Sequence, residues 1–378
     1  MFIVANRGGV GDDRRDREKE SKQQEISLLL EAAFCLLVQR ASEEQLDEVF
    51  VTLLEAMRVE EEGGGRLRIS ATCRACAAVV AITLARLAAQ AGGGENFRAV
   101  VSNRATSLIA SLCRSLRRVA VVTDPRGGTG HNSRREANCA CTRMDEKPKS
   151  AAEALDGLES LMSRGRGAST TARVVSVVLG SMEPAVRAVL DTAEALRFGG
   201  GKEGSQGLRV EIARCFRACC RVLETLLQVH ARKIFSCTPP FAALCRSLLR
   251  LFFCLAAPQP RATAGAHPTS TLLPLGEQLS AASALARVLG QFLPNGDVLR
   301  RYAAVILLEY VSLAGSSALE PAPRAALLAG VFAVMEACTR REMRQLHGLL
   351  TASSSIGQEV FRSLNEEYQR RHKYTGNI

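Results

Sequence analysis

The stretch LLAGVFAVMEACTRREMRQLHGLLTASSSIGQEVFRSLNEEYQRRHKYTGNI, Leu327 to Ile378, decides the fold. Leu328, Val331, Phe332, Met335 and Cys338 recur three or four residues apart, which predicts one face of a helix over about 322–338. Thr339-Arg340-Arg341-Glu342 then has the form of a capping box, in which the hydroxyl and the carboxylate three residues on satisfy each other's backbone N–H. It opens a second helix, about 340–350, with Met343, Leu346, Leu349 and Leu350 expected inward. Ser355-Ile356-Gly357-Gln358 has the same pattern and opens a third, about 355–373. There Ile356, Val360, Leu364 and Tyr368 recur every four residues beside Phe361, with Arg362, Glu366, Gln369 and Arg370 facing out. Three amphipathic helices in succession make a terminal helical cap.

Working upstream, the same periodicity predicts helices at about 297–314 and 272–293, separated by Pro294-Asn295-Gly296, and at about 240–256, opened by Pro239-Pro240. Leu208 to Lys233 is a long helix with Val210, Phe216, Val222, Leu223, Leu226 and Leu227 inward. Helices at about 169–197, broken near Gly180 to Pro184, and 151–163 precede it. Residues 120–150 lack periodicity and read as a disordered linker or insertion. Helices at about 96–119, 67–91, 43–60 (behind a Ser42 to Gln45 capping box) and from Glu25 to Arg40 follow a charged, disordered lead-in at 1–22. The expected organisation is therefore 1–22 lead-in, 23–119 helical, 120–150 linker, 151–204 helical and 205–378 C-terminal helical domain. Helix pairs joined by short loops, without a fixed sequence period, predict an all-α, irregular armadillo/HEAT-like α-solenoid of stacked helical hairpins.

Composition narrows the function classes. Nearly half of the 378 residues are apolar, which excludes a wholly disordered chain. The net charge of +11 favours acidic partners, nucleic acid included, although an Arg-preferring coding sequence gives the same excess. The thirteen Cys fall mostly inside apolar helical runs (Cys35, Cys113, Cys245, Cys254, Cys338), as thiols buried in a reducing compartment would. No signal peptide is visible, and no uninterrupted apolar run approaches the roughly 20 residues of a membrane span, so a soluble intracellular protein without a membrane partner is expected.

Motifs for chemistry are sparse. Cys73 and Cys76 have C-x-x-C spacing, but a zinc site needs a second ligand pair, and Cys139, Cys141 and His131 are distant in sequence. Cys215, Cys219 and Cys220 read as helix packing. No Walker pattern occurs, and Arg164-Gly165-Arg166-Gly167 is a single RG unit in a linker. The five His have no nucleophile or carboxylate arranged in a recognisable motif, so no catalytic residue, cofactor site or metal site is assigned and an enzyme is not expected. The candidate contact set is Arg370, Arg371, His372, Lys373 and Tyr374, because cations beside an aromatic can hold phosphates and stack on bases. Cations at the C-terminus of a helix are also favoured by its dipole alone.

The terminal residues resemble the C-terminal domain of the nucleolar pre-ribosomal-associated protein 2 family, also called unhealthy ribosome biogenesis protein 2. The matching pieces, in order, are Arg301-Tyr302-Ala303, Ile306 to Val311, Leu328 to Cys338, Leu346-His347-Gly348-Leu349-Leu350, Phe361 to Tyr368 and His372 to Gly376. The resemblance covers about residues 205–378. It implies a nucleolar, non-catalytic scaffold in ribosome biogenesis, acting in large (60S) subunit assembly and pre-rRNA processing. Implied partners are the pre-60S particle, a large helical-repeat protein, a DEAD-box RNA helicase and pre-rRNA itself. Members of that family are longer, so the chain reads as a C-terminal piece. The alternative is a general helical-repeat protein-binding scaffold without a ribosomal role.

Overall fold

The computed structural model describes residues 105–117, 148–149, 151–159, 161–162, 171–198, 206–234, 238–258, 271–353 and 355–373, together with positions 45, 48, 51 and 52. The expectations for 1–22, for Ser42 to Gln45 as a capping box, for Cys73, Cys76, His131, Cys139 and Cys141, for the RG unit and for Tyr374 lie outside these residues. Among the described residues every regular element is helical: α1 (105–117), α2 (151–159), α3 (Ala172–Phe198), α4 (Gln206–Ile234), α5 (Thr238–Ala256), α6 (Leu275–Gly290), α7 (Gly296–Ser316), α8 (Pro321–Ala337), α9 (Arg340–Ser353) and α10 (Ser355–Lys373). The protein is all-α across this region, as its periodicity predicts.

Helix ends follow local chemistry. The Thr339 box forms as expected: the Thr339 N–H donates to Glu342 Oε2 at 2.7 Å and the Glu342 N–H donates to Thr339 Oγ1 at 3.2 Å. The second box does not close back on itself. Gln358 Nε2 instead donates to Thr351 Oγ1 at 3.2 Å, tying the start of α10 to the end of α9. α6 enters without a side-chain cap, and buried Gln278 secures its entry by donating to Leu273 O at 2.8 Å and Thr271 Oγ1 at 2.9 Å.

The expected break near Gly180 to Pro184 is absent, and α3 runs through Pro184. An interior proline removes one helical hydrogen bond and costs about 3 kcal/mol. Here Val178, Leu179, Met182, Ala185, Val186 and Val189 are buried on both sides of it, and core burial of that many apolar groups outweighs the loss. The carbonyl left without its donor belongs to Gly180, which is exposed, so water can reach it. The departure from helical geometry falls instead in α4, at His230 (φ −129°, ψ 21°).

The helices pack in two rows. α3, α5 and α7 follow one another in one row, and α4, α6 and α8 in the other. α3 packs most broadly on α5, and α6 on α8. α4 touches α3, α5 and α7 across the rows, while α9 and α10 pack on α7 and on each other. The shared core is aromatic at its centre. The Phe241 and Tyr302 rings are 4.8 Å apart, Phe253 and Tyr310 6.0 Å, and Phe216 and Phe252 6.3 Å, joining α5 to α7 and to α4.

Gly330 sets the closest approach in this stack. A Cβ there would lie 2.6 Å from the Ala286 carbonyl oxygen and 2.7 Å from Ala286 Cα, so only glycine lets α8 come this near to α6. α5 deserves the membrane question, since Pro239–Ala256 is long and apolar enough to span a bilayer by length and composition alone. It is packed on α3, α4, α6 and α7, and its Arg246 and Arg250 are ion-paired, which makes it the stack's central core helix.

Three apolar residues expected inward point out: Leu349 is 59% exposed, Ile356 57% and Val210 52%. Leu349 and Ile356 belong to the last two helices, where no further helix in the described region covers the outer side. Leu346, Leu350, Phe361 and Leu364 supply the buried face instead.

Candidate interaction surface

The basic excess is the property most suggestive of a binding surface, so the fate of each arginine matters. Across the body of the stack, arginines join helices two apart. Arg214 Nη2 reaches Asp156 at 3.1 Å, and Arg221 reaches Asp156 at 2.5 Å and Glu159 at 2.6 Å, tying α4 back to α2. Arg217 pairs with Glu277 and Arg287 with Glu224 at 3.1 Å, tying α4 forward to α6. On the other row, Arg117 Nε donates to Ser181 Oγ at 3.0 Å and Arg197 Nη2 to the Pro258 carbonyl at 2.9 Å.

Arg246 and Arg250 on α5 converge on Glu309 of α7 at 2.8 Å and 2.6 Å. Glu309 is 8% exposed. Burial alone would raise its carboxyl; the hydrogen bonds and charge of the two guanidiniums more than offset this and hold it below the ordinary value. The partners in these links are 58 to 65 residues apart in sequence, from Arg214–Asp156 to Arg221–Asp156. That spacing is the chain length from a helix to its second neighbour, and it identifies these arginines as structural ties. Only a partial signal for Glu309 was available in the sequence: two arginines four apart on an otherwise apolar helix demand an acid from elsewhere.

Of the expected contact set, Arg370 to Tyr374, the side chains of Arg370 and Arg371 are described. Arg370 is exposed, its Nε 3.4 Å from the Glu366 carbonyl one turn back. Arg371, also exposed, has its guanidinium 5.1 Å from the Phe332 ring centroid and 3.6 Å from Glu367. Glu367 also receives Arg324 of α8 at 2.8 Å, so the same group fastens α10 to α8. His372 and Lys373 are in the last turn of α10. Tyr368 packs with its ring centroid 5.6 Å from that of Phe332, an apolar-core role for one of the aromatics beside the cluster.

The described thiols are free and mostly buried. Burial raises Cys113 to about 11 and Cys245 to about 12, and it raises Cys219 well above the ordinary thiol value, assisted by neighbouring Cys215. Such thiols are protonated and poor nucleophiles. Among the described residues no group of three or more His, Cys, Asp or Glu side chains is placed to hold a metal ion.

A family model described as the Urb2/Npa2 family matches residues 152–377, well over half of the chain. The match begins well ahead of residue 205, where the resemblance is expected to start, and takes in all of α3. No curated protein and no solved structure matches the chain.

Proposed function

The chain belongs to the Urb2/Npa2 family, a family of ribosome biogenesis, and from that premise we propose that it is a non-catalytic scaffold in nucleolar assembly of early large (60S) subunit precursors. The observation that carries the reading is that the family match spans one continuous helical stack, from α3 to α10. Two rows of helices, each contacting its second neighbour, support reading the stack as an irregular armadillo/HEAT-like α-solenoid, a form whose use is to present an extended surface to several partners. The polar resources of the described region go into holding helices together, as the arginine ties illustrate, and this suits a framework better than a reaction centre.

In this reading the protein resides in the nucleolus. It engages the pre-60S particle with other assembly factors, among them a large helical-repeat protein and a DEAD-box RNA helicase, and supports pre-rRNA processing. The test is sedimentation of a tagged copy expressed at its native level. Co-migration with early large-subunit precursors is expected. A protein that is cytosolic and stays at the top of the gradient would overturn the reading.

A further inference from the structure

We propose that the corner where α7, α8 and α9 meet binds the phosphodiester backbone of RNA, an inference that rests on the ribosome-assembly reading and gives it a location. Arg300, in the first turn and a half of α7, donates from Nε to the Ala337 carbonyl at 3.2 Å, at the very end of α8. Its charge also acts on the neighbouring Cys338 thiol. The chain then bends by 114° and α9 begins with Arg340 and Arg341, only three and four residues beyond Ala337. Arg344 lies one turn on, i+4 from Arg340 and i+3 from Arg341, so the three share a side of the helix. All three are exposed, and none has an ion-pair partner among the described residues. Arg301, also exposed, extends the corner with its guanidinium 5.0 Å from the Tyr302 ring centroid.

The five arginines of the corner outnumber the three acids closest to them in sequence, Asp297, Glu336 and Glu342. Glu342 is committed to the Thr339 backbone and hydroxyl. Glu336 acts on Tyr368, on the side of α8 facing α10. Asp297 is one turn before Arg300 and Arg301 on α7. The contrast is with Arg214, Arg217 and Arg246 in the body of the stack, which reach carboxylates two helices away.

Charge complementarity selects a polyanion, and the ribosome-assembly reading selects RNA over an acidic protein segment. Guanidinium forks take phosphate oxygens in pairs. The exposed side of α9 carries Arg341, Arg344, Gln345 and Gly348, with Leu349 its one large apolar residue.

The test is fluorescence anisotropy of a labelled, mixed-sequence single-stranded RNA titrated with the full chain across a salt series. The R340Q/R341Q/R344Q variant is compared with R114Q/R173Q/R187Q, which removes equal charge from exposed positions on α1 and α3. Both variants are first checked for unchanged helicity and melting, with R301Q as a single-site substitute if the first variant melts early. The corner variant is expected to bind at least about tenfold more weakly, with the log K against log salt slope reduced by about 2, while the control changes by less than about twofold. Absence of RNA binding by the wild type, equal losses in the two triple variants, or displacement of RNA by poly-glutamate at matched charge would each overturn the proposal. Sedimentation with precursors is read separately: a chain that co-sediments but binds no RNA sinks the corner alone, and a chain that does neither sinks both.

Discussion

Gly330→Ala is a one-carbon change whose effect follows from the α6–α8 contact. The added Cβ would sit 2.6 Å from the Ala286 oxygen, 2.7 Å from Ala286 Cα and 2.9 Å from Leu289 Cβ. Carbon atoms rest at about 3.5–4.0 Å, so the helices must part by roughly 1 Å, and a gap of that size forfeits a quarter to a half of each displaced contact. Two of the three obstructing atoms are backbone, so no rotamer change relieves the clash. Overpacking of this kind costs about 1–3 kcal/mol, and the rigid obstruction puts the cost at the upper end. Alanine's helix preference returns about 1 kcal/mol, leaving a net loss of about 2 kcal/mol.

Gly348→Ala supplies the internal control. Nothing lies within 4 Å of its ideal Cβ, so the same substitution should stabilise by about 0.5–1 kcal/mol. Urea denaturation followed by circular dichroism at equal slope measures both, and thermal melts should separate them by several degrees, at about 2–4 °C per kcal/mol for a domain of this size. A Gly330→Ala protein as stable as wild type, or stabilised like Gly348→Ala, would refute the close approach of α8 to α6.

Three further outcomes follow from the same structure. Glu309→Gln should destabilise by about 1–2 kcal/mol, discounted because its arginine partners are half exposed; its acid limb is informative, since the wild-type carboxyl is depressed, its contribution is complete above the ordinary value of 4.5, and it is lost as pH falls through the lower folded value. Urea midpoints between pH 6 and 3 should therefore converge for the two proteins as acid is added, and parallel curves would contradict the assignment. Thr339→Ala should cost about 1 kcal/mol through loss of the reciprocal cap at α9, read from the same melts, whereas Ser355→Ala should cost less because Gln358 is engaged with Thr351. Thiol titration with a colourless disulfide reagent should leave Cys219, Cys220 and Cys245 unmodified in the native protein and label them on unfolding, and rapid native labelling would mean that α4 and α5 are not packed as described.

Much of the helical order was legible because its signals are local. α4 and α10 fall within two residues of their expected limits, since strong apolar periodicity ends in Gly or Pro, or at a capping residue. The Thr339 box was readable for the same reason: its two partners are three residues apart. What stayed hidden depends on neighbours distant in the chain. Pro184 breaks an isolated helix, and only the buried residues around it explain why α3 continues. Leu349 matches the inward pattern of its helix, but pattern alone cannot reveal that no described helix covers it.

The arginine ties belong to the same class, because carboxylates some sixty residues away carry no sequence mark linking them to a given arginine. The expected basic cluster at Arg370 to Tyr374 was chosen for density along the chain. In space Arg371 is engaged by Phe332 and Glu367, whereas Arg340, Arg341 and Arg344 are exposed at the start of α9, beside the Arg300–Ala337 contact.

The proposed role as a scaffold in large-subunit assembly is tested most directly by rapid depletion of the protein followed by pulse-labelling of pre-rRNA. Early large-subunit precursors should fail to mature, with mature 60S subunits falling relative to 40S, and re-expression should restore both. Undisturbed large-subunit precursor processing after complete depletion would contradict the claim.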